Sequence, residues 1–421
     1  MSILEIKGEL RRGAKKSEFF KGGFMMKKLF AFFLSFLFAL ASLWAGGWNN
    51  SLMGCRAISM GGAFSGVADD PSAIFFNPAG IAFQKRDFNF SVDGFYIWPT
   101  HEYTLPTGSK IQSKYNNPVP QIFMTYKTSD RITLGFGVYV PYAGGGIDWK
   151  KEELGYPFKS TLGILSFTPT LAYQVNEKLS LGFVLNFYKA VLNVETEMGS
   201  FGPMKEEESG SALSAGFGLM YRPTERIGIG FSLRGPGTVK MTGTTSVKYG
   251  LYMLNLDSDT TFKLPWDMEI GFSYRLSERL LLSTSAQYTL WSTLDKVEKT
   301  IKGIPFSGDM KADETMNFEN ILILRAGAEY FLPQGVFLRL GVGFDQSATP
   351  DSTLNITNID VDKTTLLGGI GYRTGKMQID FAYAYALGKE RQKELKGYGL
   401  PLIEKYNLNV FIMGLGITFS F

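Results

Sequence analysis

The sequence has one cysteine, Cys55, and one histidine, His101, in 421 residues. A lone cysteine excludes an internal disulfide, and a lone histidine excludes a histidine-rich metal centre. Cys55 follows Leu52-Met53-Gly54, a weak likeness to a lipoprotein cleavage box. Polar residues 46–51 separate it from the apolar run such a box should abut, so it reads as a small buried thiol. His101 falls in a polar stretch with no nucleophile motif beside it and reads as a solvated loop residue. No metal, cofactor or catalytic constellation is expected, and the chain is not expected to be an enzyme. Charged residues make up only 19% of the chain, low for a soluble protein of this size. After Trp44 no apolar run approaches the roughly 20 residues that a membrane-spanning helix needs.

Glycine and aromatics are plentiful, with 48 Gly, 35 Phe and 20 Tyr, a mix that suits pleated strands. The one long apolar run, about 16 residues from Leu29 to Trp44, has Lys27 and Lys28 before it and Ala45 after it, the arrangement of a secretory signal. Cleavage is expected after Ala45 or Ala41, so the mature chain begins near Gly46. Residues 1–24 read as an upstream extension, because Met25 or Met26 makes a conventional start; Met1 stays open. Residues 1–45 hold 8 basic and 3 acidic residues, which leaves 35 and 36 in the remainder, about −1 net. Nothing in this balance asks for nucleic acid.

From residue 88 the chain alternates with period two. Ile132, Leu134, Phe136, Val138 and Val140 share one face, against Thr133, Gly135, Gly137 and Tyr139. Ile227, Ile229, Phe231 and Leu233 oppose Gly228, Gly230, Ser232 and Arg234, and Ile379, Phe381 and Tyr383 oppose Asp380, Ala382 and Ala384. A strand with one apolar face and one small or polar face fits a barrel whose outside meets lipid and whose inside lines a lumen. Short turns fall near Ser129-Asp130, Asn176-Glu177, Pro223-Thr224, Ser277-Glu278, Pro333-Gln334 and Thr374-Gly375. Between them lie polar stretches at 99–117, 141–161, 192–210, 236–263, 290–318, 346–363 and 388–406, read as long loops. The count gives an all-β fold: a 14-stranded antiparallel transmembrane β-barrel over 88–421, with both ends on the short-turn, periplasmic side. A tyrosine precedes each short turn (Tyr126, Tyr173, Tyr221, Tyr274, Tyr330 and Tyr372), as in an aromatic girdle. The last strand ends in Phe421, similar to the terminal signal read by the outer-membrane barrel assembly machinery.

Residues 46–87 do not alternate. Small residues, with Asp69-Asp70 before Pro71, suggest short capped helical turns. A segment this long before the first strand suggests an N-terminal plug, or hatch, in the lumen. It resembles the hatch of the outer-membrane long-chain fatty acid and aromatic hydrocarbon transporter family through Gly54-Cys55-Arg56-Ala57, Met60-Gly61-Gly62-Ala63-Phe64, Ala68-Asp69-Asp70-Pro71 and above all Asn77-Pro78-Ala79-Gly80. Val138-Tyr139-Val140-Pro141-Tyr142, Thr168-Pro169-Thr170-Leu171-Ala172-Tyr173 and Leu264-Pro265-Trp266 leading to Trp291-Ser292 look similar as well.

The resemblance implies passive uptake of a hydrophobic small molecule through a hatch-plugged barrel in the outer membrane. An apolar groove between loops would capture it, a pocket near the mature N-terminus at Gly46 would hold it, and a gap at a kinked third strand would release it sideways. Carried over, the groove uses Met198, Phe201 and Met204 with Leu251, Tyr252, Met253 and Leu254; loop-on-loop packing is the other reading of these residues. The opening uses Pro141, Gly144, Gly145 and Gly146, where a missing donor and small residues weaken a strand; a simple strand end is the alternative. Inward charges (Arg222, Arg234, Asp267, Glu269, Arg275, Arg325, Glu329, Arg339, Asp380) could anchor the hatch. Fatty acid against neutral hydrocarbon stays open, with a general porin or structural barrel as further alternatives. The partners expected are a hydrophobic ligand, outer-membrane lipid and the assembly machinery, with the barrel a monomer.

Overall fold

The structure, a computed structural model, describes residues 47–197, 202–249, 252–304, 308–395 and 402–421. The signal segment, Gly46, Met198, Phe201 and Leu251 lie outside the described residues. No described helix is long and apolar enough to cross a membrane; the crossing elements are strands.

Fourteen strands close into an antiparallel barrel. They are β1 (Phe88–Thr104), β2 (Asn117–Lys127), β3 (Ile132–Trp149), β4 (Phe158–Gln174), β5 (Leu179–Glu197), β6 (Pro203–Thr224) and β7 (Ile227–Arg234, resuming at Gly237–Tyr249). The second half is β8 (Tyr252–Leu264, resuming at Asp267–Arg275), β9 (Leu280–Thr289), β10 (Ile321–Phe331), β11 (Val336–Asp345), β12 (Lys363–Thr374), β13 (Met377–Gly388) and β14 (Leu402–Ser420). β1 closes on β14 in continuous register from Asn89 opposite Ser420 to Thr104 opposite Lys405, so the first and last strands are not left as edges.

The facing follows the alternation. Leu340 is 67% exposed and Ile270 58% on the outside, while Asp380 (3%) and Glu269 (8%) are buried on the inside. Phe231 is exposed outward, and Phe136 and Phe381 are half-exposed on the same side. Five of the six turn tyrosines are exposed and Tyr274 is half-exposed, an outward ring at the short-turn rim.

At the opposite rim the connections are shorter than the sequence suggests. β5 and β6 pair out to Glu197 opposite Pro203, and β7 and β8 out to Tyr249 opposite Tyr252. Stretches 192–210 and 236–263 are therefore largely ladder, not loop. Beyond the lipid both faces of a strand carry polar residues, so the apolar period vanishes although the pairing continues. His101 is likewise a strand residue of β1, 4% exposed, and not a solvated loop histidine. β3 does not end at Pro141. It runs on to Trp149 through register shifts between Tyr139 and Tyr142 and between Gly145 and Ile147.

A candidate ligand-conducting site

Residues 47–87 form the plug. Its helical turns are α1 (Cys55–Ser59), α2 (Ala73–Phe76) and a 3-10 turn at Pro78–Phe83. Asp70 sets up α2 by accepting from Ser72 N at 2.9 Å and Ser72 Oγ at 2.6 Å. Asn77 is extended (φ −158°), as a residue before proline prefers, and its Oδ1 accepts from Ala79 N at 3.2 Å to cap the turn that Pro78 begins. Asn77 is fully buried. Its Nδ2 donates to Ser65 O of the hatch at 3.1 Å and to Leu219 O of the wall at 3.0 Å, so one amide joins two parts of the plug to β6.

Contacts all round place the plug inside the barrel. Cys55 N donates to Asp93 of β1, Gly54 N to Gln121 of β2, Ser180 of β5 to Ala79 O and Ser273 of β8 to Gly66 O. Arg56 binds Glu329 of β10 twice at 2.9 Å and also meets Asp69. Arg339 bridges Glu329 and Asp380, each at 2.7 Å. Burial works against the Arg56 charge, but Asp69 and Glu329 outweigh it and hold the guanidinium protonated well above its ordinary range. Burial pushes the Asp70 carboxyl up, with Arg56 opposing. Arg222 and Arg234 donate to Val67 O and Phe75 O, and Arg325 to Ser51 Oγ. Arg275 takes no part; it is exposed at the short-turn rim. The Cys55 side chain is buried.

The wall is cut to fit the plug. A Cβ on Gly182 would lie 2.3 Å from Ala79 N, and one on Gly218 2.4 Å from Asn77 Oδ1. Only glycine permits that approach.

On the long-connection side of the plug the inward face turns apolar. Tyr142, Leu162, Ile164, Tyr188, Val239, Met241, Phe262, Trp291, Phe318 and Ile321 form a buried cluster, with Trp48 of the N-terminal segment packed in it. Trp48 stands edge-on to Phe262, Trp291 and Phe318 at centroid distances of 5.1, 6.3 and 6.0 Å. Beneath it lies a polar layer in which Tyr139 and Thr168 both bond Asn186.

The same N-terminal segment also reaches the wall. β2 and β3 pair only from Lys127 opposite Thr133 to Ile122 opposite Val138. Beyond that rung β3 stays paired with β4, and residues 140–143 also bond the plug. Asn50 N donates to Pro141 O and Ala143 N to Trp48 O, both at 2.8 Å, and Asn50 Nδ2 donates to Val140 O at 2.6 Å. Pro141, Gly144, Gly145 and Gly146 thus lie in the bulged part of β3 that β2 does not pair with. Met204, Tyr252, Met253 and Leu254 lie together at the far end of the β6–β7–β8 sheet, where Met204 and Leu254 both oppose Val247. Tyr252 and Met253 are exposed there. The sequence reading missed the chamber residues Trp48, Tyr142, Tyr188, Phe262 and Phe318. The available signal was an inward face that stops being polar along β3, β5 and β8. Among the described residues no three His, Cys, Asp or Glu converge on a metal-like site.

A closed barrel with an apolar exterior, an aromatic rim and an internal hatch defines a plugged outer-membrane β-barrel. The chain belongs to the outer membrane protein transport protein family (OMPP1/FadL/TodX), whose model matches residues 42–421. Outer membrane protein P1 of Haemophilus influenzae is 25% identical over 419 residues, covering 84% of this chain and 90% of its own. The long-chain fatty acid transport protein of Escherichia coli K12 is 23% identical over 395 residues, covering 78% and 85%. Among solved structures, a Pseudomonas aeruginosa FadL homologue superposes with a TM-score of 0.77 at 19% identity, over 89% of this chain and 100% of that one. The Pseudomonas putida toluene transporter TodX gives 0.72 at 16% identity, over 91% and 99%. The protein is therefore an outer-membrane protein.

Proposed function

We propose that this barrel passes hydrophobic small molecules, long-chain fatty acids or similar lipophilic compounds, passively through the outer membrane and releases them sideways between β2 and β3. The observation that carries the reading is the double role of residues 48–50. Trp48 fills the apolar chamber, while its carbonyl and Asn50 occupy the edge of β3 that β2 leaves open. A ligand that takes the place of the Trp48 ring removes the plug's hold on that edge. Burying an alkyl chain in the chamber supplies about 0.8 kcal/mol per CH₂, more than a few backbone hydrogen bonds at about 1 kcal/mol each. The family and its fatty acid transport relative support this reading. An aromatic hydrocarbon is the second reading, favoured by the edge-to-face rings of the chamber.

In this proposal residues 46–87 are the hatch, with the Asn77-Pro78-Ala79-Gly80 turn and Asp69-Asp70 shaping it, and residues 1–45 are removed. Met204 with Tyr252, Met253 and Leu254 forms the capture surface, Pro141 with Gly144, Gly145 and Gly146 forms the exit, and the barrel works as a monomer without a catalytic step. Phe421 recruits the assembly machinery.

The test is binding of labelled oleate and of labelled toluene to detergent-purified protein, alongside uptake by cells. Trp48→Ala is expected to change affinity and uptake together. Wild-type binding and uptake of both compounds by a folded Trp48→Ala barrel would refute the chamber and its coupling to the exit.

A further inference from the structure

The outer wall of the barrel carries a band of lysines where its apolar surface stops. On β5, β7 and β8 the residues that point into the chamber are Tyr188 and Ala190, Val239 and Met241, and Phe262 and Leu264. Their neighbours Lys189, Lys240 and Lys263 therefore point outward. Lys240 and Lys263 are exposed and Lys189 is half-buried. The register brings the three together. Lys189 opposes Ser211 of β6, Ser211 opposes Lys240, and Lys240 opposes Thr261. Lys189 and Lys240 thus stand two strands apart, about 10 Å between Cα atoms, and Lys263 lies on the diagonal beside Lys240 at about 8 Å. The exposed hydroxyls of Ser211, Thr238 and Thr242 lie among them.

What lies next to the band fixes its depth in the membrane. One step toward the short-turn rim, Phe187 and Leu213 oppose each other at 48% and 58% exposure, and Trp266 is exposed beside them. An exposed tryptophan at the end of an apolar surface marks the level where hydrocarbon gives way to headgroups. Around the band the outward charges come in pairs. Glu207 is paired with Lys205 and Glu298 with Lys296, both at 2.9 Å, and Asp259 with Lys302. Within the band they do not. Lys189 meets only the Ser209 hydroxyl, at 3.3 Å, and Lys240 and Lys263 have no ion pair among the described residues. Three ammonium groups without carboxylates of their own therefore face the lipid headgroups.

We propose that this band binds the phosphorylated sugar headgroup of a glycolipid of the outer leaflet. Lys189, Lys240 and Lys263 take its phosphate oxygens, and the hydroxyls of Ser211, Thr238 and Thr242 bond its phosphates and sugar. Lysine at a membrane surface is drawn to anionic headgroups, and its compact ammonium suits a phosphate approached from several directions. The side of the membrane sets the source of the phosphate. The band lies toward the long connections, away from the periplasmic rim, so the lipid it meets belongs to the outer leaflet. The strands that carry it also wall the chamber, and the bound lipid braces that wall from outside.

The experiment is titration of bis-phosphorylated lipid A into the full-length protein in detergent micelles, read by native mass spectrometry. Lipid A stripped of its phosphates and phosphatidylglycerol are titrated in parallel. Wild type is expected to retain lipid A about tenfold more tightly than either of the others. Lys240→Gln with Lys263→Gln should weaken lipid A binding roughly tenfold or more, since two of three cations are lost. Lys205→Gln, on the same face but paired with Glu207, should match wild type. Equal affinity for lipid A with and without phosphates, or wild-type affinity in the folded double variant, overturns the proposal. Equal retention of phosphatidylglycerol also overturns it, because the band would then be a general anion contact. If the double variant fails to show heat-modifiable mobility, Lys189→Gln replaces it, and unchanged affinity in that barrel refutes the site.

Discussion

Replacing Asn77 by Ala tests how the hatch is held. The wild-type amide satisfies Ser65 O and Leu219 O and caps Ala79 N, at 3.1, 3.0 and 3.2 Å, in a fully buried position. Alanine removes the side-chain partner of Ser65 O and of Ala79 N, while Leu219 O, in a strand paired on both sides, loses an additional bond. Each of the first two costs about 1–3 kcal/mol when nothing replaces the lost bond. Relaxation of the turn recovers part of this, so a loss of about 3 kcal/mol is expected, a factor of roughly 100 in the equilibrium between seated and displaced hatch. The barrel's own ladder is untouched. Asn77→Ala, and more so Asn77→Ala with Pro78→Ala, should assemble normally yet leak small polar dyes and show altered uptake of labelled fatty acid. Heat-modifiable mobility checks folding. Wild-type values for both leakage and uptake in a folded variant would refute this account of the turn.

Arg56→Met should loosen α1 by about 3–5 kcal/mol, the usual cost of breaking one side of a buried pair, seen as faster amide hydrogen exchange over residues 55–62. Asp70→Asn keeps the acceptor for Ser72 and is expected to hold or raise hatch stability at neutral pH. Burial lifts its folded pKa, so its contribution is present below the unfolded value and lost as pH rises through the folded one; a drop in hatch protection against exchange at pH 7 would contradict this. Gly182→Val should unseat the Pro78-Ala79 turn, because a Cβ there meets backbone at 2.3 Å, and dye leakage reads the effect. Leu340→Lys should cost roughly 2–4 kcal/mol in folding into lipid, whereas an unchanged urea midpoint in vesicles would mean that this face does not meet lipid.

The sequence made the strands legible wherever lipid on one side and polar plug on the other enforce alternation. Phe231 and Asp380 faced as their parity required, because a one-residue slip would reverse every side chain. Beyond the lipid that constraint ends, and the outer parts of β6 to β8 lose their signature. The hatch turn at Asn77 was readable from local chemistry, an amide before proline. The chamber was not, since Trp48, Tyr142 and Phe262 come from the plug, β3 and β8 and meet only through barrel closure. His101 was misread because a polar neighbourhood in sequence became a paired strand in space.

The glycines at 182 and 218 have a mechanical consequence. A plug whose backbone rests against bare wall at fixed points is keyed like a shaft in a slot. Turning or sliding it by one rung brings a neighbouring side chain against its peptide groups, so the plug as a whole has no smooth direction of travel. Any passage must open by local yielding, and residues 47–51 hold the wall through strand-edge hydrogen bonds, the Trp48 ring and side-chain bonds to Thr289, Asp360 and Arg325 rather than through backbone pressed on bare wall. In the proposed mechanism, conduction and retention would fall to different stretches of one plug, the keyed part keeping the bore shut to water while residues 47–51 yield.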